Sequence, residues 1–199
     1  VTTLFLYYVL PRSFTTFCFQ YLCNKVNYVV RKSLENAVQM EYKALTDDMT
    51  GAYNKNRLIE LLNNRERDGQ DIAVIYWDVN QLKYVNDNWG HLCGDRLITE
   101  VAKTIQSIAR EEDIVIRYGG DEFLLYVANG TKEIAEQLIK TWKVRLEEEK
   151  KRENYEFPVS ASVGYALGKH SQLKDIIAAA DKDMYANKRI CRESYQSKR

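Results

Sequence analysis

An α/β sandwich, a sheet with helices returning over one face, is the architecture that the apolar patterning of this chain predicts. Residues 72–77 are six consecutive apolar positions, too short for an ordinary helix and suited to a strand buried on both faces. The apolar runs 114–116 and 123–127 flank Arg117-Tyr118-Gly119-Gly120-Asp121-Glu122-Phe123. That arrangement reads as a hairpin, with the glycines supplying φ > 0 at no steric cost. Helical periodicities before, between and after these runs complete the order helix, strand, helix, hairpin, helix, strand, helix.

The chain begins at Val1 rather than Met, which suggests a fragment of something longer. Residues 1–24 are rich in Phe, Tyr, Leu and Cys, interrupted by Pro11 and Arg12, with no uncharged run long enough to span a bilayer. A basic leader and a small-residue cleavage site are both missing, so a signal peptide is not expected. The segment reads as the tail of an upstream sensor or membrane module, in preference to a helix packing on the domain. From residue 25 to 45 the pattern turns helical, with Val26, Val30, Leu34, Val38 and Leu45 at spacings of four or seven. A helix packed on its own domain and a parallel coiled coil between two chains both fit that spacing.

Thr46-Asp47-Asp48-Met49-Thr50-Gly51-Ala52-Tyr53-Asn54 reads as a structured turn, with Asn54 capping a helix that carries Leu58, Ile59, Leu61 and Leu62. The apolar strand 72–77 ends at Asp78, a favoured ligand position in α/β folds because the chain leaves the core there. A helix N-cap acid is the alternative reading. Residues 78–95 are dense in Asp, Asn and Gly, more than a packing segment needs. A helix over 96–110 follows, with Leu97, Ile98, Val101, Ile105 and Ile108 inward, and then the hairpin. Residues 131–149 repeat apolar positions every four, and the Glu and Lys run at 147–152 reads as a solvated face. Pro158 opens an alternating strand to Tyr165, and a last helix covers about 172–189.

Composition narrows the function. At 199 residues, 45% hydrophobic and 29% charged, the chain has room for one domain with a real core and an appendage. A net charge of +1 gives no basic stripe for nucleic acid. Cys18, Cys23, Cys93 and Cys191 form no CxxC pair, so neither zinc nor a disulfide framework is indicated, and a reducing, cytoplasmic setting fits. The acids of the hairpin sit beside bare glycine backbone, which suits a divalent cation and a phosphate that must come close. If the first strand pairs with the hairpin, Asp78, Asp121 and Glu122 converge. Three carboxylates repel one another unless a cation sits among them, and Mg²⁺ is the natural choice. His91 and His170 need no catalytic role.

The letters Gly119-Gly120-Asp121-Glu122-Phe123 are the motif of the GGDEF family, the diguanylate cyclases, which the chain resembles over about residues 44–195. The stretch from Asp47 resembles D-x-L-T-G-L-x-N-R, with Met49 and Ala52 as departures. Residues 78–95 resemble D-x-D-x-F-K-x-x-N-D-x-x-G-H-x-x-G-D, with Asn80 for the second acid and Leu82 for Phe. Arg110-Glu111-Glu112-Asp113 has the spacing of the family's R-x-x-D inhibitory site. Residues 180–192 resemble A-D-x-A-L-Y-x-A-K-x-x-G-R, with Asp183 at a small-residue position, Cys191 for Gly and Arg192 for the final Arg.

The resemblance implies the palm-like fold shared by nucleotide cyclases and polymerases: a sheet containing antiparallel strands, flanked by helices and preceded by a signalling helix. It divides the chain into an upstream tail (1–24), a signalling helix (25–45) and a catalytic domain (46–199), the cytoplasmic part of a protein that an upstream module ties to a membrane or sensor. It implies a homodimer that condenses two GTP into cyclic di-GMP, each chain holding one GTP. Asp78, the Val79 carbonyl, and Asp121 or Glu122 would bind Mg²⁺ or Mn²⁺, and the remaining acid would be a further ligand or the base on the 3′-hydroxyl. Asn86 and Asp95 would read guanine, while Lys83, Lys188 and Arg192 hold phosphates next to Gly119 and Gly120. Arg110 and Asp113 would bind the product as inhibitor. The alternative is an inactive module that binds GTP or cyclic di-GMP as a sensor.

Overall fold

The computed structural model describes the backbone of residues 2–196 and the side chains of residues 14 and 16–189. It divides into two compact units, 1–44 and 45–199. The first is one helix, α1 (Thr2–Leu45), whose backbone continues through Pro11 and across the expected boundary between 24 and 25. The side chains of residues 1–13, and with them much of the proposed upstream tail, lie outside the described residues. Along α1, Val26, Val30, Leu34 and Val38 are all exposed. Among the described residues no helix is long and apolar enough to cross a membrane.

The second unit runs α2 (Lys55–Asn63), β1 (Asp71–Val79), α3 (Leu82–Trp89), α4 (His91–Gln106), β2 (Ile114–Arg117), β3 (Glu122–Ala128), α5 (Lys132–Glu153), β4 (Ala161–Lys169) and α6 (Leu173–Gln196). The strands form one antiparallel sheet in the order β2-β3-β1-β4. β1 is central, and its alternation explains its unbroken apolar run. Ala73, Ile75, Trp77 and Val79 face a core shared with Leu97, Val101, Ile105, Trp142 and Leu146 of α4 and α5. Ile72, Val74 and Tyr76 face a second core with Leu58 and Leu61 of α2 and Leu173, Ile176 and Ala180 of α6. Helices therefore cover both faces of the sheet rather than the one expected. A strand apolar at every position must be covered on both sides.

Three local expectations change. The Asp- and Asn-rich segment after Asp78 folds into α3, with Val85 fully buried. Gly90, at φ 84°, ends α3 and starts α4 at His91, five residues earlier than the apolar period suggested. That helix stops at Gln106, so Arg110 lies in the turn before β2. The last strand begins at Ala161 rather than beside Pro158, and runs on to Lys169.

Both sheet edges are managed. On the β2 side, the Tyr53 amide donates to the Val115 carbonyl at 2.9 Å and its carbonyl accepts from the Arg117 amide at 2.7 Å. On the β4 side, α6 reaches over the edge: Asp183 Oδ2 accepts from the Tyr165 amide and Asn187 Nδ2 donates to the Val163 carbonyl, each at 3.0 Å. The acid at 183, a departure from the family pattern, thus satisfies an edge amide.

α6 approaches the sheet closely because position 164 has no side chain. A Cβ at Gly164 would stand 2.0 Å from the Met184 amide nitrogen and 2.7 Å from the Ala180 carbonyl oxygen, both rigid helix backbone. Gly164→Ala is therefore expected to lower stability by about 1–3 kcal/mol through overpacking. Gly69→Ala, where nothing lies within 4 Å of the added carbon, should differ little from the parent. Urea denaturation of the three proteins checks this, and equal midpoints would refute the close-approach argument.

Candidate functional site

The site forms where β1 leaves the core. The antiparallel register sets Asp78 opposite Glu122 and Tyr76 opposite Leu124, and the Val79 amide donates to the Asp121 carbonyl at 2.9 Å. Residues directly opposite on one face of a sheet are side-chain neighbours, so pairing alone brings these two carboxylates together. Asp78 Oδ1 accepts from Lys188 Nζ of α6, an ion pair with only 17% and 16% of the two side chains exposed. Glu122 Oε1 accepts from the Tyr76 hydroxyl at 2.8 Å. Tyr76 is buried, and that burial, followed by the adjoining Glu122 carboxylate, pushes its phenol far above the usual tyrosine range.

Asp121 is half-buried beside this pair. Among the described residues no three His, Cys, Asp or Glu side chains are grouped to hold a metal ion. The register sets Asp78 against Glu122, and Asp121 lies in the turn one residue before β3.

The Gly119-Gly120 turn also differs from expectation. Neither glycine takes a left-handed φ. What position 119 requires is room: a Cβ there would lie 2.4 Å from Glu122 Oε2. The turn is tied down by Arg117, to which the sequence reading gave no role. Its Nη2 and Nε donate to the Gly120 carbonyl at 2.7 and 3.3 Å, while Nη1 meets both carboxylate oxygens of Asp47 at 3.0 and 3.1 Å. Asp47 Oδ1 also accepts from the Thr50 hydroxyl at 2.7 Å and the Thr50 amide at 3.0 Å. The 47–55 motif therefore works as a clamp on the hairpin. Its Asp and Thr were visible in sequence, but their partner 70 residues away was not.

Asn86 and Asp95 lie on adjacent helices, α3 and α4. A Cβ at Gly94 would overlap Asn86 Oδ1 at 1.9 Å, so the Asn86 side chain rests against bare helix backbone one residue before the exposed Asp95. Lys83 is exposed on α3. The Arg192 side chain lies outside the described residues. His91 is exposed, and His170 is buried between Tyr126 Oη and the Leu61 carbonyl at 3.0 and 2.9 Å. The carbonyl can only accept, so Nε2 carries the proton and Nδ1 accepts from the phenol.

At the far end of β3, Arg110 forks onto Asp113 with Nε to Oδ2 at 3.0 Å and Nη2 to Oδ1 at 2.9 Å. Nη2 also reaches the Ala128 carbonyl at 2.9 Å, and the Arg110 amide meets Asp113 Oδ2 at 3.0 Å. The Asp113 side chain is completely buried, whereas Arg110 keeps 35% exposure and a 3.2 Å contact with Glu112. Hydrogen bonding to Asp113 holds the guanidinium pKa above its usual value.

A family model described as "Diguanylate cyclase, GGDEF domain" matches residues 44–194. The chain is 33% identical over 167 residues to the probable diguanylate cyclase DgcJ of Escherichia coli K12, covering 78% of this chain and 33% of that protein. It is 34% identical over 149 residues to the cyclic di-GMP phosphodiesterase PdeR of the same organism, covering 73% of this chain and 22% of that one. The chain thus spans no more than a third of either relative's length. Among solved structures, the coiled coil and GGDEF domain of DgcB from Caulobacter crescentus in complex with c-di-GMP matches with a TM-score of 0.72 at 25% identity, covering 86% of this chain and 94% of that one.

Asp47 offers a test of the clamp. Burial pushes its carboxyl pKa up, but the Thr50 hydroxyl and amide and the Arg117 guanidinium outweigh this and hold it below the usual 3.8. A lowered folded pKa contributes stability that is complete above the unfolded value and is lost as pH falls through the folded one. The parent should therefore exceed Asp47→Asn in unfolding free energy at pH 7, with the gap closing below about pH 4. A gap that stays constant down to pH 2 would rule the clamp out as its source.

Proposed function

This chain belongs to the GGDEF family, and on that premise we propose that it is a diguanylate cyclase, joining two GTP into cyclic di-GMP with release of two pyrophosphates. The observation that carries the reading is the Asp78–Glu122 register with Lys188 on the Asp78 carboxylate. In each half-reaction the 3′-oxygen of one GTP bonds to the α-phosphorus of the other. The bond to the bridging α,β-oxygen breaks, and the 3′-hydroxyl proton leaves to a carboxylate or to water. Two such transfers close the ring.

The donor set fits magnesium. Asp78 and Glu122 offer only oxygen, and the ion commonly takes one or two carboxylates and completes its shell with water and substrate phosphate rather than using an all-protein cage. Asp78, the Val79 carbonyl and Glu122 would hold it, with Asp121 as a further ligand or as the base on the 3′-hydroxyl. When bound, it would supply charge neutralisation at the α-phosphate and the leaving pyrophosphate. Lys188 supplies an ammonium at the Asp78 carboxylate, ready to meet a phosphate, and Gly119 and Gly120 let a triphosphate approach the backbone. Lys83 and Arg192 are assigned to phosphate on the family pattern. Asp95 accepts from guanine N1–H and the 2-amino group, a donor pair adenine lacks, and Asn86 beside it completes the base pocket.

Each site holds one GTP, so two chains must face each other. The exposed apolar row of α1 suits pairing with a second copy. Product feedback is assigned to Arg110 and Asp113, where a guanidinium fork suits phosphate and the guanine Hoogsteen edge. Asp113 is already committed to Arg110 and buried, so Arg110 is the member that would meet product.

Incubation with GTP and Mg²⁺ should yield cyclic di-GMP and pyrophosphate, resolved by chromatography. Glu122→Gln should abolish synthesis with the circular dichroism spectrum unchanged. Full turnover in that variant removes Glu122 from the chemistry, and a parent that binds GTP or cyclic di-GMP without turnover points to a sensor instead.

The feedback assignment needs a different variant from Arg110→Ala alone. Removing one partner of a fully buried ion pair costs roughly 3–5 kcal/mol, less here because Arg110 is 35% exposed and partly screened. Arg110→Ala/Asp113→Ala leaves no buried unpaired charge. It should keep the initial rate while product accumulates past the level at which the parent stalls. Stalling at the same level would move the inhibitory site elsewhere.

A further inference from the structure

Tyr76 lies on the same face of β1 as Asp78, one pleat deeper, and pairs with Leu124 in the register that sets Asp78 against Glu122. Glu122 is therefore its diagonal neighbour, about 7–8 Å away across the strands, a span that a phenol can bridge. The hydroxyl reaches Glu122 Oε1 at 2.8 Å. Glu122 Oε2 lies over Gly119, where a side-chain carbon would collide with it. The carboxylate is thus held between a phenol on one oxygen and bare backbone at the other. The Tyr76 ring is itself fixed, 2% exposed and edge-on to Tyr118 at 6.0 Å, with the Lys55 ammonium 5.0 Å above the Tyr118 ring.

We propose that Tyr76 is a positioning residue: its hydroxyl orients the Glu122 carboxylate toward Asp78 for cation and triphosphate binding. The inference rests on the cyclase reading for its chemistry, but its contact can be tested without turnover. A valine, leucine or phenylalanine here would fill the same core, so packing alone does not call for the hydroxyl. The phenol O–H is the donor and the carboxylate oxygen the acceptor in this contact. Partners that orient a ligating carboxylate typically change affinity or activity about 10–100-fold when removed.

The test is a double-mutant cycle on the 199-residue chain: parent, Tyr76→Phe, Glu122→Ala and the double variant. Titration calorimetry measures binding of the α,β-methylene analogue of GTP in the presence of Mn²⁺, and each protein is also assayed with GTP. Tyr76→Phe should weaken analogue binding about tenfold in the parent, and less than about twofold once Glu122 is gone. It should also lower kcat more than it raises KM for GTP. A merely structural tyrosine would weaken binding equally in both backgrounds, and that result overturns the proposal, as does unchanged binding in Tyr76→Phe. If the coupling is present but the parent makes no cyclic di-GMP, the cyclase reading fails and the positioning role stands. A parent that does not bind the analogue with Mn²⁺ overturns both. Melting temperatures of all four proteins show whether any of them has lost its fold, and Tyr76→Leu, which also lacks the hydroxyl, replaces Tyr76→Phe if that variant does not fold.

Discussion

Pairing of β1 with β3 in a single register is the constraint on which the functional end of this domain depends. Seven cross-strand pairs run from Ile72 with Ala128 to Asp78 with Glu122. Because side chains alternate along a strand, a slip of one residue would carry Asp78 and Glu122 to different faces and put Trp77 where Tyr76 stands. That slip is prevented by burial rather than by the carboxylates, which would repel each other at close range. Trp77, Phe123, Ile75 and Leu125 are fully buried in one core while Ile72 and Leu124 fill the other. Two cores fix one register, and the register places two acids at one spot. Tyr76 and Lys188 then supply a donor and a cation to charges that packing has already brought together.

The same logic explains why the turn is anchored from a distance. A hairpin tip projecting past the last strand pair has few apolar contacts to hold it, so it needs directed polar ones. Arg117 provides them by bridging the Gly120 carbonyl to Asp47, which its own Thr50 keeps in place. The segment 46–54 also covers the β2 edge through Tyr53. One short stretch therefore closes a sheet edge and steadies the turn, which explains why its Asp and Thr belong to a motif although neither touches Asp78 or Glu122.

Legibility from sequence followed the range of the interactions. The apolar run 72–77, the hairpin and the helices of the domain other than α3 were readable because local period and turn residues announce them. The pairing of Asp78 with Glu122 was foreseeable once the strand was set beside the hairpin. Tyr76 was not, since it sits inside a run of six apolar letters and its partner is diagonal across a strand pair. Gly119 was read for its conformational freedom, while its actual constraint is space for the Glu122 carboxylate, a fact that exists only after folding. The α4 start was misplaced because Gly90, the shared cap of two helices, lies in a stretch whose polar density masks the buried Val85.

Geometry also limits how a ligand at Arg110 can influence the other end of the domain. Arg110 holds the Ala128 carbonyl, and Glu122 begins the same strand. Six steps of about 3.3 Å place the two ends roughly 20 Å apart. A molecule bound at Arg110 cannot touch the carboxylates, and the strand between them is packed into both cores, leaving little scope for a graded distortion passing along it. On the proposed cyclase reading, an effect on synthesis from that distance would be better carried by a second domain than through the sheet. Arg110 has an exposed face and a buried anchor in Asp113, so a ligand shared with another chain could fix the relative pose of two domains while each site stays intact. Inhibition of that kind would spare nucleotide binding within each chain and suppress only the step that needs two chains face to face.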